Sequence, residues 1–220
     1  MVRPVAAGVG MTSPRTRARM VERLRGEGIR DERVLAAMAA VPRHLFVEEA
    51  LATRAYEDTA LPIGFGQTIS QPYVVARMIE ALLNGKPRQK VLEVGTGCGY
   101  QAAVLARVFA EVYSIERIKG LLERARSNLA ALRLANLRLA HGDGYAGLEK
   151  VAPFDAIIVA AAAPCMPQVL LRQLAPDGRM ILPLGRDGAQ RLVQVERRRG
   201  RFVESKLEAV RFVPMEMGKA

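Results

Sequence analysis

VLEVGTGCGYQAAVLA, Val91 to Ala106, is the stretch whose reading decides the fold. Lys90 to Val94 is short, apolar and β-branched, the composition of a buried strand. Gly95, Thr96, Gly97, Cys98 and Gly99 form a turn. Gln101 to Val108 then has helical spacing, with Leu105 and Val108 on one face. Three glycines in five residues let the backbone approach a ligand closely, because no Cβ intervenes. The helix that follows points its free N–H groups at the same spot. A dinucleotide site asks for G-x-G-x-x-G. Here the order is Gly95-x-Gly97-x-Gly99, one residue early for the third glycine, which argues against a nicotinamide dehydrogenase. A tight βα turn without any ligand is the plainer alternative.

Working outward, Glu111 to Ile115 (EVYSI) reads as the next strand, and Glu116 stands at its carboxyl end. The separation from Gly97 is 116 − 97 = 19 positions. A doubly wound fold places at that distance the carboxylate that accepts hydrogen bonds from ribose hydroxyls. An isolated acid at a strand end could equally be solvated; its register with the glycine turn favours the ribose role.

The 220 residues suit one α/β domain with a small extension. Residues 1–12 read as a disordered leader and 13–220 as a single domain. Its expected parts are a helical extension over 13–52, an active-site loop over 53–71 and a core over 72–220. No apolar run reaches membrane-spanning length. Cys98, Cys165, His44 and His141 are isolated in the sequence, which argues against a zinc site. Two unpaired cysteines fit a reducing cytoplasm. The net charge of +11 comes from arginines in Arg15 to Arg25 and Arg197 to Arg201. Such clusters can bind nucleic acid. They lack interleaved aromatics, and the chain has no Trp, so they read as solvated faces and no nucleic-acid partner is expected.

Ser13-Pro14 opens a first helix through Met20, Val21 and Leu24. Asp31 caps a second, with Val34, Leu35, Met38 and Val41 inward, and Arg43 to Ala50 suggests a short third. Tyr56 to Gln71 shows little periodicity and reads as a functional loop. Pro72 opens a helix with Val74, Val75, Met78, Ile79 and Leu82 on its core face and Gly85 as its stop. Lys119 to Leu132 is an amphipathic helix, Leu137 to Ala140 a strand and Asp155 to Val159 a strand buried on both faces. Pro167 to Leu174 reads as a helix and Arg179 to Leu184 as a strand. Arg191 to Arg197 and Arg201 to Leu207 form a hairpin turning at Arg199-Gly200, and Arg211 to Pro214 a last edge strand. The pattern predicts a Rossmann-like, doubly wound, mostly parallel sheet with an N-terminal helical extension and C-terminal antiparallel strands.

Four further segments carry a resemblance: Gly66-Gln67-Thr68-Ile69-Ser70-Gln71-Pro72-Tyr73; His141-Gly142-Asp143-Gly144; Phe154 to Val159 followed by Ala161-Ala162-Ala163-Pro164; and Leu174 to Arg179 with Ile181 to Gly185. Taken with VLEVGTGCGY, they resemble the protein-L-isoaspartate O-methyltransferase family, from about Met20 to about Met217. The glycine turn is shared by S-adenosylmethionine-dependent methyltransferases in general; GQTISQP is the discriminating segment. Arg211 to Met215 is similar to the family's closing segment. Ala160, where many members have Thr, departs from the pattern.

The resemblance implies S-adenosyl-L-methionine as cofactor and isoaspartyl proteins and peptides as acceptors. It implies that Gly95, Thr96, Gly97 and Gly99 contact the methionine part and ribose, Glu116 the ribose hydroxyls, and Asp143 and Gly144 the adenine edge. Ser70 matches the active-site serine, flanked by Ile69 and Gln71. An acceptor carboxylate is already ionised near neutral pH and needs no general base, so the lack of a His–Asp or Cys–His arrangement is consistent. Ser70 also suits the N-cap of the helix opening at Pro72. A monomer without membrane contact is expected. The rival readings are a methyltransferase acting on RNA or a small molecule, and a non-catalytic cofactor-binding module.

Overall fold

In the computed structural model, residues 8–83, 88–186 and 188–220 are described. The chain begins with helices. Gly10–Thr12 is a single 3-10 turn. Helix α1, Pro14–Gly26, starts where the Ser13 side chain accepts from the Thr16 N–H, with Pro at the first position. Helix α2, Glu32–Ala40, is capped by Asp31, which accepts from Arg33 N–H. Met20, Leu24, Val34, Leu35 and Met38 are fully buried. Each such side chain contributes about 1.5–3 kcal/mol of burial energy. The expected third helix over Arg43 to Ala50 is instead two 3-10 turns, Arg43–Phe46 and Glu49–Arg54. The carbonyl of Pro42, which cannot donate to continue α2, accepts the first turn's hydrogen bond from Leu45.

The segment expected to be a structureless loop contains a hairpin. Strands β1, Leu61–Gly64, and β2, Gln67–Ile69, pair antiparallel. Phe65 and Gly66 between them have φ of 55° and 70°, the two positive values of a type I′ turn. A three-residue strand is too short to show a period, which is why the sequence pattern hid it. Helix α3, Pro72–Leu83, follows. Val74 on it is only half-buried, and the Gly85 stop lies outside the described residues.

The core sheet comprises β3 (Lys90–Val94), β4 (Glu111–Glu116), β5 (Leu137–His141), β6 (Phe154–Val159), β7 (Leu174–Leu184), β8 (Arg191–Arg198) and β9 (Arg201–Ala209). Their spatial order is β5-β4-β3-β6-β7-β8-β9. The first five run parallel and the last two antiparallel. Helices α4 (Tyr100–Leu105), α5 (Lys119–Ala130) and α6 (Gln168–Arg172) lie in the crossovers β3–β4, β4–β5 and β6–β7, and two 3-10 turns, Gly144–Ala146 and Glu149–Val151, join β5 to β6. Helix α4 is shorter than expected, ending before Val108. Leu174, read as helical, already pairs with Phe154 as the start of β7. Arg211 to Pro214 is not a strand: Pro214 makes one isolated bridge to Ala162, and Gln190 brackets Phe212 by accepting from its N–H and donating to its carbonyl. The chain order reverses between β3 and β6, and a crevice opens there at the carboxyl ends of the strands, where doubly wound folds bind ligands.

Candidate active site

The crevice is a cavity of about 880 Å³, including its open mouth. The sheet provides its floor. Gly95, Thr96 and Gly97 leave β3, Glu116 and Arg117 leave β4, and Ala160 and Ala161 leave β6. Ile63, Ile69 and Ser70 of the hairpin segment form one wall, and Val213 to Glu216 another.

The turn is built by backbone geometry. Gly95, Gly97 and Gly99 have φ of 95°, 55° and 91°, values that disfavour any side chain. Gly95 N–H donates to the Ile115 carbonyl at 2.9 Å, which ties the turn to β4. Glu116 is 5% exposed and holds two N–H groups: Gly97 donates to Oε2 at 2.8 Å and Ile118 to Oε1 at 2.9 Å. A carboxylate has about four acceptor sites, so it retains capacity for a hydroxyl pair.

Beneath the turn lies a buried polar chain. Thr96 Oγ1 and Ser114 Oγ are 2.6 Å apart, and Ser114 donates to Glu93 Oε2. Glu93 is wholly buried, and desolvation pushes its carboxyl from its ordinary value near 4.5 up to about 8, with the Glu116 charge adding to the rise and Ser114 and Gln101 opposing it. It is therefore a neutral acid at pH 7. Gln101, on α4, faces Glu93 short of a well-formed hydrogen bond. Its Nε2 has no partner, although the residue is 8% exposed and lines the cavity. Burial likewise pushes the Cys98 thiol up to about 11 and the Tyr100 hydroxyl up to about 12. Cys98 is thus a thiol at neutral pH and a poor nucleophile.

Of the residues singled out from sequence, Ile69, Ser70, Gly95, Thr96, Gly97, Glu116 and Gly144 line this cavity; Gln71, Gly99 and Asp143 do not. Gly99 faces α5: a Cβ there would lie 2.9 Å from Leu129 Cδ1, so this glycine serves helix packing. Asp143 caps the turn at Gly144–Ala146 by accepting from Tyr145 N–H, and its other oxygen accepts from Gly218 N–H at 2.9 Å. Gly144 admits no side chain, since a Cβ would stand 2.5 Å from Val94 Cγ1. Gln71 donates to the Asp58 carbonyl and lines a second, adjoining groove with Thr68, Ser70, Tyr73, Arg211 and Phe212.

Ser70 therefore lies between the two cavities, lining both. It does not cap α3. Asp58 takes that role, its Oδ1 accepting from Tyr73 N–H at 2.8 Å. Ser70 Oγ makes no hydrogen bond among the described residues. The sequence reading missed Ile63, Gln101 and the Val213–Glu216 wall. The last was visible only as a family-like segment, because its position depends on Ala162 bonding to both Val213 and Met215 across the chain.

A parallel sheet reversing at β3/β6, a glycine turn at the reversal and an acid at the end of β4 define a Rossmann-like protein with a site for a nucleoside-bearing cofactor. Comparison with known proteins narrows the class. Residues 15–220 match the family model described as protein-L-isoaspartate(D-aspartate) O-methyltransferase. A protein-L-isoaspartate O-methyltransferase of Dechloromonas aromatica is 62% identical over 212 residues, covering 96% of this chain and 98% of the relative. One from an Azoarcus species is 63% identical over 205 residues, covering 93% and 94%. Among solved structures, a Plasmodium falciparum chain assigned to the same activity, crystallised with S-adenosyl-L-homocysteine, superposes with a TM-score of 0.81 at 29% identity over 91% of this chain and 98% of its own. The chain belongs to the protein-L-isoaspartate O-methyltransferase family.

Proposed function

We propose that this protein transfers the methyl group of S-adenosyl-L-methionine to the free carboxylate of L-isoaspartyl residues, giving a methyl ester in damaged proteins and peptides. The single observation that carries the site reading is Ser70, with an uncommitted hydroxyl at the junction of the glycine-turn cavity and the adjoining groove. The residues present fit the cofactor: a glycine cradle, a two-oxygen acceptor in Glu116, and the orphaned buried amide of Gln101. When bound, S-adenosylmethionine supplies an electrophilic methyl group on a sulfonium.

Gly95, Thr96 and Gly97 would hold the methionine and ribose part, and Glu116 would accept from the ribose hydroxyls. Gly144 would face the adenine, at a position where a side chain has no room. In the groove, Ser70 Oγ–H donates to the acceptor carboxylate and orients one oxygen toward the cavity. The acceptor is its own nucleophile, ionised at neutral pH. The protein supplies alignment and excludes water; Ile63, Ile69 and the Val213–Glu216 wall do the excluding. Gln71 and Asp143 act one step back, bonded to Asp58 and to the Gly218 backbone.

The same reading includes one folded domain from residue 13 onward, a monomer, and a cytoplasmic location. Cys98 and Cys165 are free thiols, and among the described residues no helix is long and apolar enough to cross a membrane. Gel filtration with light scattering tests the monomer.

The deciding assay supplies methyl-labelled S-adenosylmethionine and two peptides identical except for isoaspartate in place of aspartate. Base-labile label on the isoaspartyl peptide alone is expected. Label on neither, with cofactor still bound, would refute the acceptor assignment.

A further inference from the structure

Arg43 is the largest fully buried side chain among the described residues, at 0% exposure. Neither the glycine turn nor the hairpin contains it. It is the first residue of the 3-10 turn after α2, and that turn aims it inward. Its Nε donates to the Ala55 carbonyl at 2.8 Å and its Nη2 to the Ser70 carbonyl at 2.8 Å. Its guanidinium lies 4.7 Å from the centre of the Tyr100 ring. Tyr100 is the first residue of α4, immediately after the glycine turn. The same ring is met edge-on by Phe46 at 5.6 Å, and its hydroxyl faces Met38 Sδ at 3.6 Å.

This arrangement is costly if filling space is its only purpose. A buried cation loses its hydration, and an apolar side chain of similar volume is often as stabilising or more so. No carboxylate lies within ion-pair distance of Arg43 among the described residues, although Asp58 favours its charge from farther off, and its Nη1 has no hydrogen-bond partner. Two carbonyl dipoles and an aromatic face offset the charge instead. What the guanidinium offers beyond bulk is a rigid, planar fork, which can fix two acceptors at once while stacking on a third group. The three groups it joins are the carbonyl of Ala55, the carbonyl of Ser70, and the ring of the residue that follows the glycine turn.

We propose that Arg43 is the positioning residue of the acceptor site, holding the Ser70 backbone at a fixed place against the glycine turn. The inference rests on the reading of Ser70 given above. Arg43 touches neither cavity; it acts through Ser70 and Tyr100. Ser70 lies just past the end of a three-residue strand whose last pairing is Ile69 with Leu61, so the hairpin's own ladder does not reach it. The Arg43 bond supplies the missing constraint on its carbonyl.

The test compares Arg43→Lys and Arg43→Met with wild type, each also in a Ser70→Ala background. Lysine keeps the charge but cannot span two carbonyls and stack. Thermal denaturation, S-adenosylhomocysteine affinity, and kcat and KM for an isoaspartyl peptide are measured. Arg43→Lys is expected to melt cooperatively and to bind S-adenosylhomocysteine within about twofold of wild type. Its kcat/KM is expected to fall roughly 10- to 100-fold, the scale of an ångström-sized misplacement. In the Ser70→Ala background the same substitution should cost less than about threefold, because residues acting as a unit are non-additive. An undiminished cost in that background, equal loss of S-adenosylhomocysteine affinity and turnover, or an Arg43→Lys protein without a cooperative transition would each overturn the proposal and leave Arg43 a general core cation. Ser70→Ala with wild-type turnover would sink the serine assignment separately. The effect of Arg43→Lys on peptide KM, at unchanged S-adenosylhomocysteine affinity, would then still decide whether Arg43 places the acceptor segment.

Discussion

The two halves of the cavity are held together by different forces. On the β3–β4 side, backbone groups do the work: positive-φ glycines, ladder hydrogen bonds continuing past the strand ends, and one carboxylate shared by two N–H groups. On the hairpin side, side chains from distant segments clamp an irregular backbone. Arg43 holds Ser70, Asp58 holds the start of α3, and Arg124 of α5 reaches the Ile63 carbonyl at 2.6 Å. A backbone-built half is rigid by topology and tolerates few changes of shape. A clamped half can be loosened one side chain at a time without unfolding the sheet. On the reading of Ser70 proposed above, this division puts acceptor selection in the part that is easier to alter.

The largest effect should come from the backbone-built half. Gly99→Ala puts a Cβ against Leu129 at φ 91°. Left-handed strain and overpacking together should cost about 3 kcal/mol in chemical denaturation. A variant of wild-type stability that has lost S-adenosylhomocysteine binding would instead make Gly99 a ligand contact. Next, Ser70→Ala should lower kcat/KM on the order of 100-fold, as for loss of one positioned donor, with cofactor affinity nearly intact. Equal loss of both would make Ser70 structural. Glu116→Ala should weaken calorimetric S-adenosylhomocysteine binding by about 1–3 kcal/mol, a charged hydrogen bond's worth. Unchanged affinity would remove the ribose assignment.

Glu93 gives a pH test of the same half. Native Glu93 keeps its proton up to about pH 8, while its ordinary value is 4.5. Between those values the native state binds more protons than the unfolded chain, so rising pH favours unfolding. The stabilisation it gives is full below 4.5 and is lost as pH rises through 8. One proton limits the slope to about 1.4 kcal/mol per pH unit. Glu93→Gln, which can still accept from Ser114, should remove that slope when wild type and variant are compared by denaturation across this window. A difference independent of pH would mean that Glu93 is ionised throughout.

The contrast between the halves also decides what the sequence discloses. The glycine turn and Glu116 are legible because their geometry is local: one crossover unit, helix α4 and strand β4, fixes the spacing from Gly97 to Glu116. The sheet strands are legible because burial on both faces leaves continuous apolar runs such as Asp155 to Val159. The hairpin is not, since Gln67–Ile69 is too short for a period and Phe65 supplies a positive φ usually left to glycine or asparagine. Arg43 is invisible for a different reason. In sequence it is one of many arginines; only the fold brings Ala55, Ser70 and Tyr100 around it. Asp143 is a different case: the resemblance marked it for the adenine edge, and its two oxygens accept one N–H each, from Tyr145 and Gly218, which leaves acceptor capacity on both.

The smallest effect is expected at Asp58, and it separates the halves most cleanly. Asp58 holds the acceptor segment twice, its carboxylate accepting from Tyr73 N–H and its carbonyl accepting from Gln71 Nε2. Only the first bond depends on the side chain. Asp58→Ala removes a helix cap, worth about 1 kcal/mol, and frees the chain between Ser70 and Tyr73. Peptide KM should rise a few-fold, on the scale of that energy, while S-adenosylhomocysteine affinity stays unchanged because no group of the glycine turn bonds to Asp58. Asp58→Asn should restore both stability and KM, since asparagine caps as well as aspartate. Failure of asparagine to rescue would mean that the negative charge, and not the cap, matters at this position. A fall in S-adenosylhomocysteine affinity with Asp58→Ala would mean that the clamps of the acceptor side also hold the cofactor side, and the two halves would have to be treated as one mechanical unit.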